Sequence, residues 1–226
     1  MEERIASQLA RKRALGEPML PLRSVRSRGP VSDTFWGTAW CERMEACSDY
    51  RDRLPLGRSR LRAGAVYDLA IAEGEVFAYV AGEDLHEVLV RIAPLDDERK
   101  KALESACGGR IGSALDLLTG NFSGEVMARL VDPKHGLLPG PDQIRFQCDC
   151  ADHADLCAHG AAVLYAIGLR LDAEPALLFT LRGLEQASLV AGVMDRIGEG
   201  DAVGGESLTD QDLNDLFGIE LDQEIS

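Results

Sequence analysis

Apolar residues recur along this chain with two periods, and the changes between them mark out its elements. Three stretches, about 64–72, 75–81 and 86–93, carry strand-like patterns. They hold Val66 and Leu69 to Ile71, then Val76, Phe77, Tyr79 and Val80, then Val88, Val90 and Ile92 alternating with polar neighbours. The turn sequences AEGE and GED separate them and Pro94 ends the third, so the pattern predicts an antiparallel meander. Elsewhere the period lengthens. Over residues 33–50, Phe35, Trp36, Trp40, Met44 and Cys47 fall at roughly helical spacing behind Ser32 or Asp33 as a cap. An aromatic stripe of this kind packs in a core.

Helical patterns follow at 96–118, starting at Asp96 or Asp97 and interrupted at Gly108-Gly109, with the short segment RIGSALDLLTG ending at Gly120, and at 122–131. The segment IRFQCDC reads as a strand. In HGAAVLYAIGLRLD the residues Ala161, Val163, Leu164, Ile167, Leu169 and Leu171 make most of a helix apolar, so that helix should be largely buried. A further helix opens near Pro175 and ends at Gly183.

The breaks in these patterns suggest boundaries. Residues 1–32 read as a basic arm: a short helix is open to residues 2–15, but Pro18, Pro21 and Pro30 favour extended or disordered chain after it. Residues 33–140 hold the α+β domain with the meander. Residues 141–194 hold a Cys/His-rich segment and the helices after it. Residues 195–226 form an acidic linker with a short C-terminal helix. The fold class expected is α+β, a small antiparallel sheet flanked by helices. Residues 51–63, RDRLPLGRSRLRA, read as an arginine-rich turn because of Pro55 and Gly57.

Charge sharpens this division. The net charge of the 226 residues is −14. Residues 1–62 carry thirteen Lys/Arg against eight Asp/Glu, whereas residues 195–226 carry ten acids and one arginine. A pI near 4.7 argues against a general nucleic-acid coat, which needs clustered positive charge. The arginines Arg51, Arg53, Arg58, Arg60 and Arg62 remain candidates for phosphate contacts, since guanidinium binds phosphate oxygens bidentately. The bland alternative is a solvated loop paired with Asp49, Asp52 and the acidic tail. No apolar run approaches the roughly 20 residues of a membrane helix, and the charged N-terminus does not read as a secretory signal. The cytoplasm is therefore the default location.

Three of the six cysteines fall within ten residues. Cys148-Asp-Cys150, six residues, then Cys157-Ala-His159 supply three thiolates and an imidazole, a complete tetrahedral set for zinc. In a reducing compartment such a cluster reads as metal-binding rather than disulfide-forming. A strand ending in FQCDC can aim two cysteines around one turn, and Cys157 and His159 fall at the start of the next helix, whose dipole favours thiolate. His153 is a rival ligand, and Asp152 and Asp155 are harder, less suited ones. A full four-ligand set leaves no open position for catalysis.

The Cys-x-Cys…Cys-x-His pattern followed at once by GAAVLYAIGLRL resembles the SWIM zinc finger. TFWGTAWCERMEA, YRDRLPLGRSRLRAGAVYDLAI and LLFTLRGL extend the likeness over roughly residues 33–184, to bacterial SWIM proteins found alongside Swi/Snf-type helicases. The ligand loop is compact and encloses His153. The resemblance implies a ββα-like zinc finger, a role in DNA binding or protein interaction beside such a helicase, and no enzyme activity. A purely structural scaffold subunit is the alternative, followed by an enzyme with a site outside the finger. No P-loop, GxSxG or HExxH is present, Cys41 and Cys47, six apart, read as lying on a buried helix, and His86 and His135 read as isolated.

Overall fold

The computed structural model describes residues 2–107, 119–120 and 122–185. The helix expected around residues 110–118 and everything beyond Glu185, including the acidic linker and its short helix, lie outside the described residues. Within them the fold is α+β. Five strands form one antiparallel sheet in chain order: β1 (Pro21–Leu22), β2 (Val66–Ala72), β3 (Glu75–Ala81), β4 (Leu85–Ile92) and β5 (Ile144–Cys148). The meander is β2 to β4, and the strand read at IRFQC joins its edge.

Strand alternation gives the sheet two unlike faces. Val66, Val76, Ala78, Val80, Val88 and Val90 are fully buried on one face. Across it lies the helix α6 (Ala158–Ala173), whose residues 159 to 168 are all buried. A helix apolar on every side must be covered on every side. The sheet covers one flank of α6, while α2 (Phe35–Glu45) and α3 (Leu54–Arg62) cover the other.

The tryptophan stripe is core, and each indole finds a backbone acceptor. Trp40 Nε1 donates to Leu164 O of α6 at 2.8 Å, and Trp36 Nε1 to Gly120 O at 2.9 Å. The start of α2 is held by a residue far along the chain. Asp172, in the last turn of α6, accepts from Ser32 Oγ at 2.7 Å, Asp33 N at 2.8 Å, Thr34 N at 3.1 Å and Thr34 Oγ1 at 2.7 Å. The cap itself is Thr34 rather than Ser32 or Asp33. A carboxylate at the positive end of α2 satisfies donors that have no partner within the helix.

Two readings change. Residues 54–62 are a helix, not a turn. Pro55 lies in its first turn, where no N–H is missed. Gly57 faces Ala161 of α6 so closely that a Cβ built on it would lie 2.3 Å from the Ala161 carbonyl carbon. The two turn signals are thus a helix start and a helix–helix contact. The N-terminal segment also takes on structure. α1 (Glu2–Ala14) packs Ile5 and Leu9 with Met19, Tyr67, Phe77, Tyr79 and Leu85 on the second face of the sheet. Met19 and Leu20 are fastened by their N–H groups to the Asp68 carboxylate, both at 2.7 Å. Asp68, at φ 47°, sits in a bulge of β2 that turns its side chain toward them.

The remaining helices, α4 (Asp97–Cys107), α5 (Gly124–Leu130) and α7 (Leu177–Leu181), close the core at one end. Arg182, just after α7, is fully buried, donates to Ala93 O and to Gln143 Oε1, and has its pKa lowered to about 10 by burial. It ties α7 to the end of β4 and the start of β5. No described helix is long and apolar enough to cross a membrane.

The Gly57 contact makes a direct prediction. Gly57→Ala should destabilise the fold by about 1–3 kcal/mol through overpacking, although alanine is the better helix former. Gly124→Ala, whose Cβ would meet nothing within 4 Å, should be neutral or stabilising. Urea unfolding midpoints of the two variants check the pair, and equal midpoints would contradict the close approach.

Candidate metal centre

The Cys/His segment is positioned by the two elements on either side of it. β5 ends at Cys148, and hydrogen bonding to β4 fixes where that end lies, with Cys148 opposite Val88. Cys157 is the N-cap of α6, where its sulfur accepts from Gly160 N at 3.4 Å. His159 follows in the first turn and is only 8% exposed. The loop between is folded by its own polar groups. Asp152 accepts from Ala154 N at 3.1 Å, and pairs with Arg53 at the start of α3 at 3.2 Å.

These constraints bring Cys148, Cys150, Cys157 and His159 together. One ligand atom from each lies within 4.8 Å of every other, and Cys148 Sγ stands 3.8 Å from His159 Nδ1. The four can hold a metal ion. His153 and Asp155 are exposed and outside the cluster, and Asp152 is engaged in the loop and with Arg53, so none of the rival ligands joins the set.

The thiols perturb one another strongly. Hydrogen bonding from Cys148, above all, drives the Cys157 pKa down, and the same contact together with burial pushes Cys148 up. A shared proton is what converging thiols adopt when only protons balance their charge; a bound cation favours thiolate throughout. Cys41 makes the contrast. It is buried in α2, and loss of hydration pushes its pKa up to about 12, which keeps it an inert core thiol.

Two neighbours of the cluster were not singled out from sequence. His86, read as isolated, lies on β4 in the same inward phase as Val88 and Val90. Its ring stacks on that of His159, with centroids 4.3 Å apart and planes tilted by 35°. Its Nδ1 is 2.8 Å from Asp149 Oδ1. Gly82, in the β3–β4 turn, lies against the Nε2 edge of His159. A Cβ there would fall 2.6 Å from His159 Nε2, an atom that is buried and has no hydrogen-bond partner among the described residues. The inward phase of His86 was the available signal: a histidine on the core face of a strand needs a partner there.

The arginine segment is mostly spent inside the fold. Arg53 pairs with Asp152. Arg58 bonds Glu45 and the Tyr165 hydroxyl, the latter at 2.7 Å, and lies over the Tyr165 ring. Arg60 donates to Ala81 O at 3.2 Å, and Arg62 to Gly29 O. Only the guanidinium of Arg51 has no partner among the described residues. Beside the metal loop runs a groove of about 790 Å³, floored by Tyr50 and Phe146. Asp49, Asp52, Asp142 and Asp155 line it, against Arg53 and Arg145. Compared with family models, curated proteins and solved structures, the chain finds no match.

Gly82→Ala tests how tightly His159 is held. The added methyl must displace the imidazole, so metal affinity should fall at least roughly tenfold, the scale seen when the surroundings of a ligand are disturbed. Chelator competition measures the loss, and far-UV circular dichroism of the loaded protein should stay unchanged. Unaltered affinity would mean that the ring is free to move.

Proposed function

We propose that this chain is a SWIM-type zinc module, a non-catalytic accessory that uses its metal to complete the fold and its surface to dock another protein. The observation that carries the reading is the convergence of the four ligand atoms, each within 4.8 Å of every other. In tetrahedral zinc with Zn–S near 2.3 Å and Zn–N near 2.0–2.1 Å, two sulfurs stand about 3.8 Å apart and a sulfur and a nitrogen about 3.5–3.6 Å. The 3.8 Å between Cys148 Sγ and His159 Nδ1 is about 0.2–0.3 Å longer than the S–N edge, close enough for both atoms to reach one ion. Three soft thiolates with one imidazole suit zinc better than a hard cation.

The role that follows is structural. A set of four protein ligands leaves no position for water or substrate. Zinc with three thiolates keeps a net charge of about −1, and the Gly160 N–H donating to Cys157 Sγ offsets part of it. Binding such an ion contributes folding free energy, here to a strand–helix corner whose loop is largely polar and exposed.

For the partner, internal contacts favour protein over DNA. Four of the five arginines that suggested phosphate binding are tied to carboxylates, carbonyls or a tyrosine, and the groove beside the metal loop carries more acids than bases. Both features weaken attraction to a duplex. The resemblance to SWIM proteins found with Swi/Snf-type helicases supports such a helicase as the protein partner.

Purified protein should contain one zinc per chain by elemental analysis. Chelation, or Cys150→Ser, should raise hydrogen exchange across residues 140–172 first. Absence of zinc, or native exchange after its removal, would overturn the zinc reading. For DNA, gel shifts at physiological salt should show no submicromolar duplex binding; binding that Arg51→Glu abolishes would restore the nucleic-acid reading.

A further inference from the structure

Resting on the zinc reading, we infer that His86 and Asp149 are the outer support of the metal site, with His86 positioning the His159 imidazole without ligating the ion. His159 is contacted by two groups. Gly82 touches its Nε2 edge with no side chain in between, and His86 lies against its ring face. An imidazole packed on its edge and its face has little freedom to rotate away from the ion. His86 is in turn fixed by Asp149 Oδ1 at 2.8 Å, and Asp149 sits between the ligands Cys148 and Cys150, so the support is anchored in the ligand loop itself.

Distance decides between this role and a second cation. His86, Cys148 and Asp149 also offer ligand atoms within 4.8 Å of one another. Two N or O ligands on one tetrahedral ion stand about 3.3 Å apart at bond lengths of 2.0–2.1 Å. The observed 2.8 Å is the length of a hydrogen bond. Nor does His86 belong to the group formed by Cys148, Cys150, Cys157 and His159.

The hairpin that carries Gly82 and His86 is itself held from the other face of the sheet. The Asp84 carboxylate accepts from Arg4 at 2.6 Å and Gln8 at 3.1 Å, and Gln8 Oε1 accepts from Leu85 N at 2.9 Å. The support of the metal site therefore runs from α1 through the β3–β4 turn to His159.

His86→Ala and His86→Phe test the inference in the full chain. Zinc affinity by chelator competition should fall 10- to 100-fold in His86→Ala, the usual cost of losing such a support. Both variants should still hold one ion at saturation. His86→Phe keeps a ring against His159 and should recover part of the loss. Cobalt(II) substituted for zinc reports the coordination sphere directly, and its visible bands should shift in His86→Ala even when fully loaded. Unchanged affinity and bands would overturn the inference. So would a His86→Ala protein that cannot be loaded at any concentration, since that is how a missing ligand behaves. A parent protein without zinc removes the zinc reading and this inference together, whereas a loaded parent with an indifferent variant removes the inference alone.

Discussion

The contact between Gly57 and the Ala161 backbone lets two helices approach more closely than any side chain would allow, and the layer arrangement depends on it. α6 is apolar all round, so it has to be enclosed. The sheet can cover only one flank. The other is closed because α3 comes down onto a glycine and α2 inserts Trp40, whose indole reaches a backbone carbonyl in the middle of α6. Asp172 then locks the start of α2 to the end of the same helix. Close packing of this kind leaves little slack, because interiors pack near crystalline density.

The candidate metal centre inherits its geometry from that enclosure. Cys157 and His159 occupy the first turn of α6, and Cys148 ends a strand whose register is set by β4. The helix axis and the sheet edge are both fixed by core packing, so three of the four candidate ligands are aimed by elements that would be rigid in any case. Cys150 is the exception, lying in the loop. Asp152 stiffens that loop through a local turn and a pair with Arg53. The pair joins the loop to α3, the helix that also covers α6. The arginine segment thus serves the architecture of the site before it could serve a ligand.

Elements with an uninterrupted period could be read directly. The meander, the buried helix and the ligand set follow from alternation, from apolar residues on all sides and from soft donors in a short window. Where the reading slipped, one residue type carried two meanings. Pro55 and Gly57 look like a turn unless the facing helix is known, because the close approach that requires glycine is a tertiary fact. The arm around Pro18 and Pro21 looks disordered because its anchor, Asp68, is some fifty residues away in a bulge that no local pattern announces. His86 looks isolated because its neighbours come from strand register rather than sequence distance. The arginines stand out in sequence because charge is visible there, while the internal partners of four of them are not.

The stacked pair of histidines has a consequence for the order of assembly. Every candidate ligand lies within a twelve-residue window, so closing a loop around an ion would cost little chain entropy and need no sheet. His86 stands sixty-three residues from its partner Asp149 and reaches the loop only after β4 and β5 have paired. An ion bound at this site could therefore be captured early and loosely by the local loop, then held more firmly when the long-range contacts arrive. Release would require the reverse, a local opening of the β4–β5 edge. The lifetime of a bound ion would then be set by that opening as well as by the strength of its bonds.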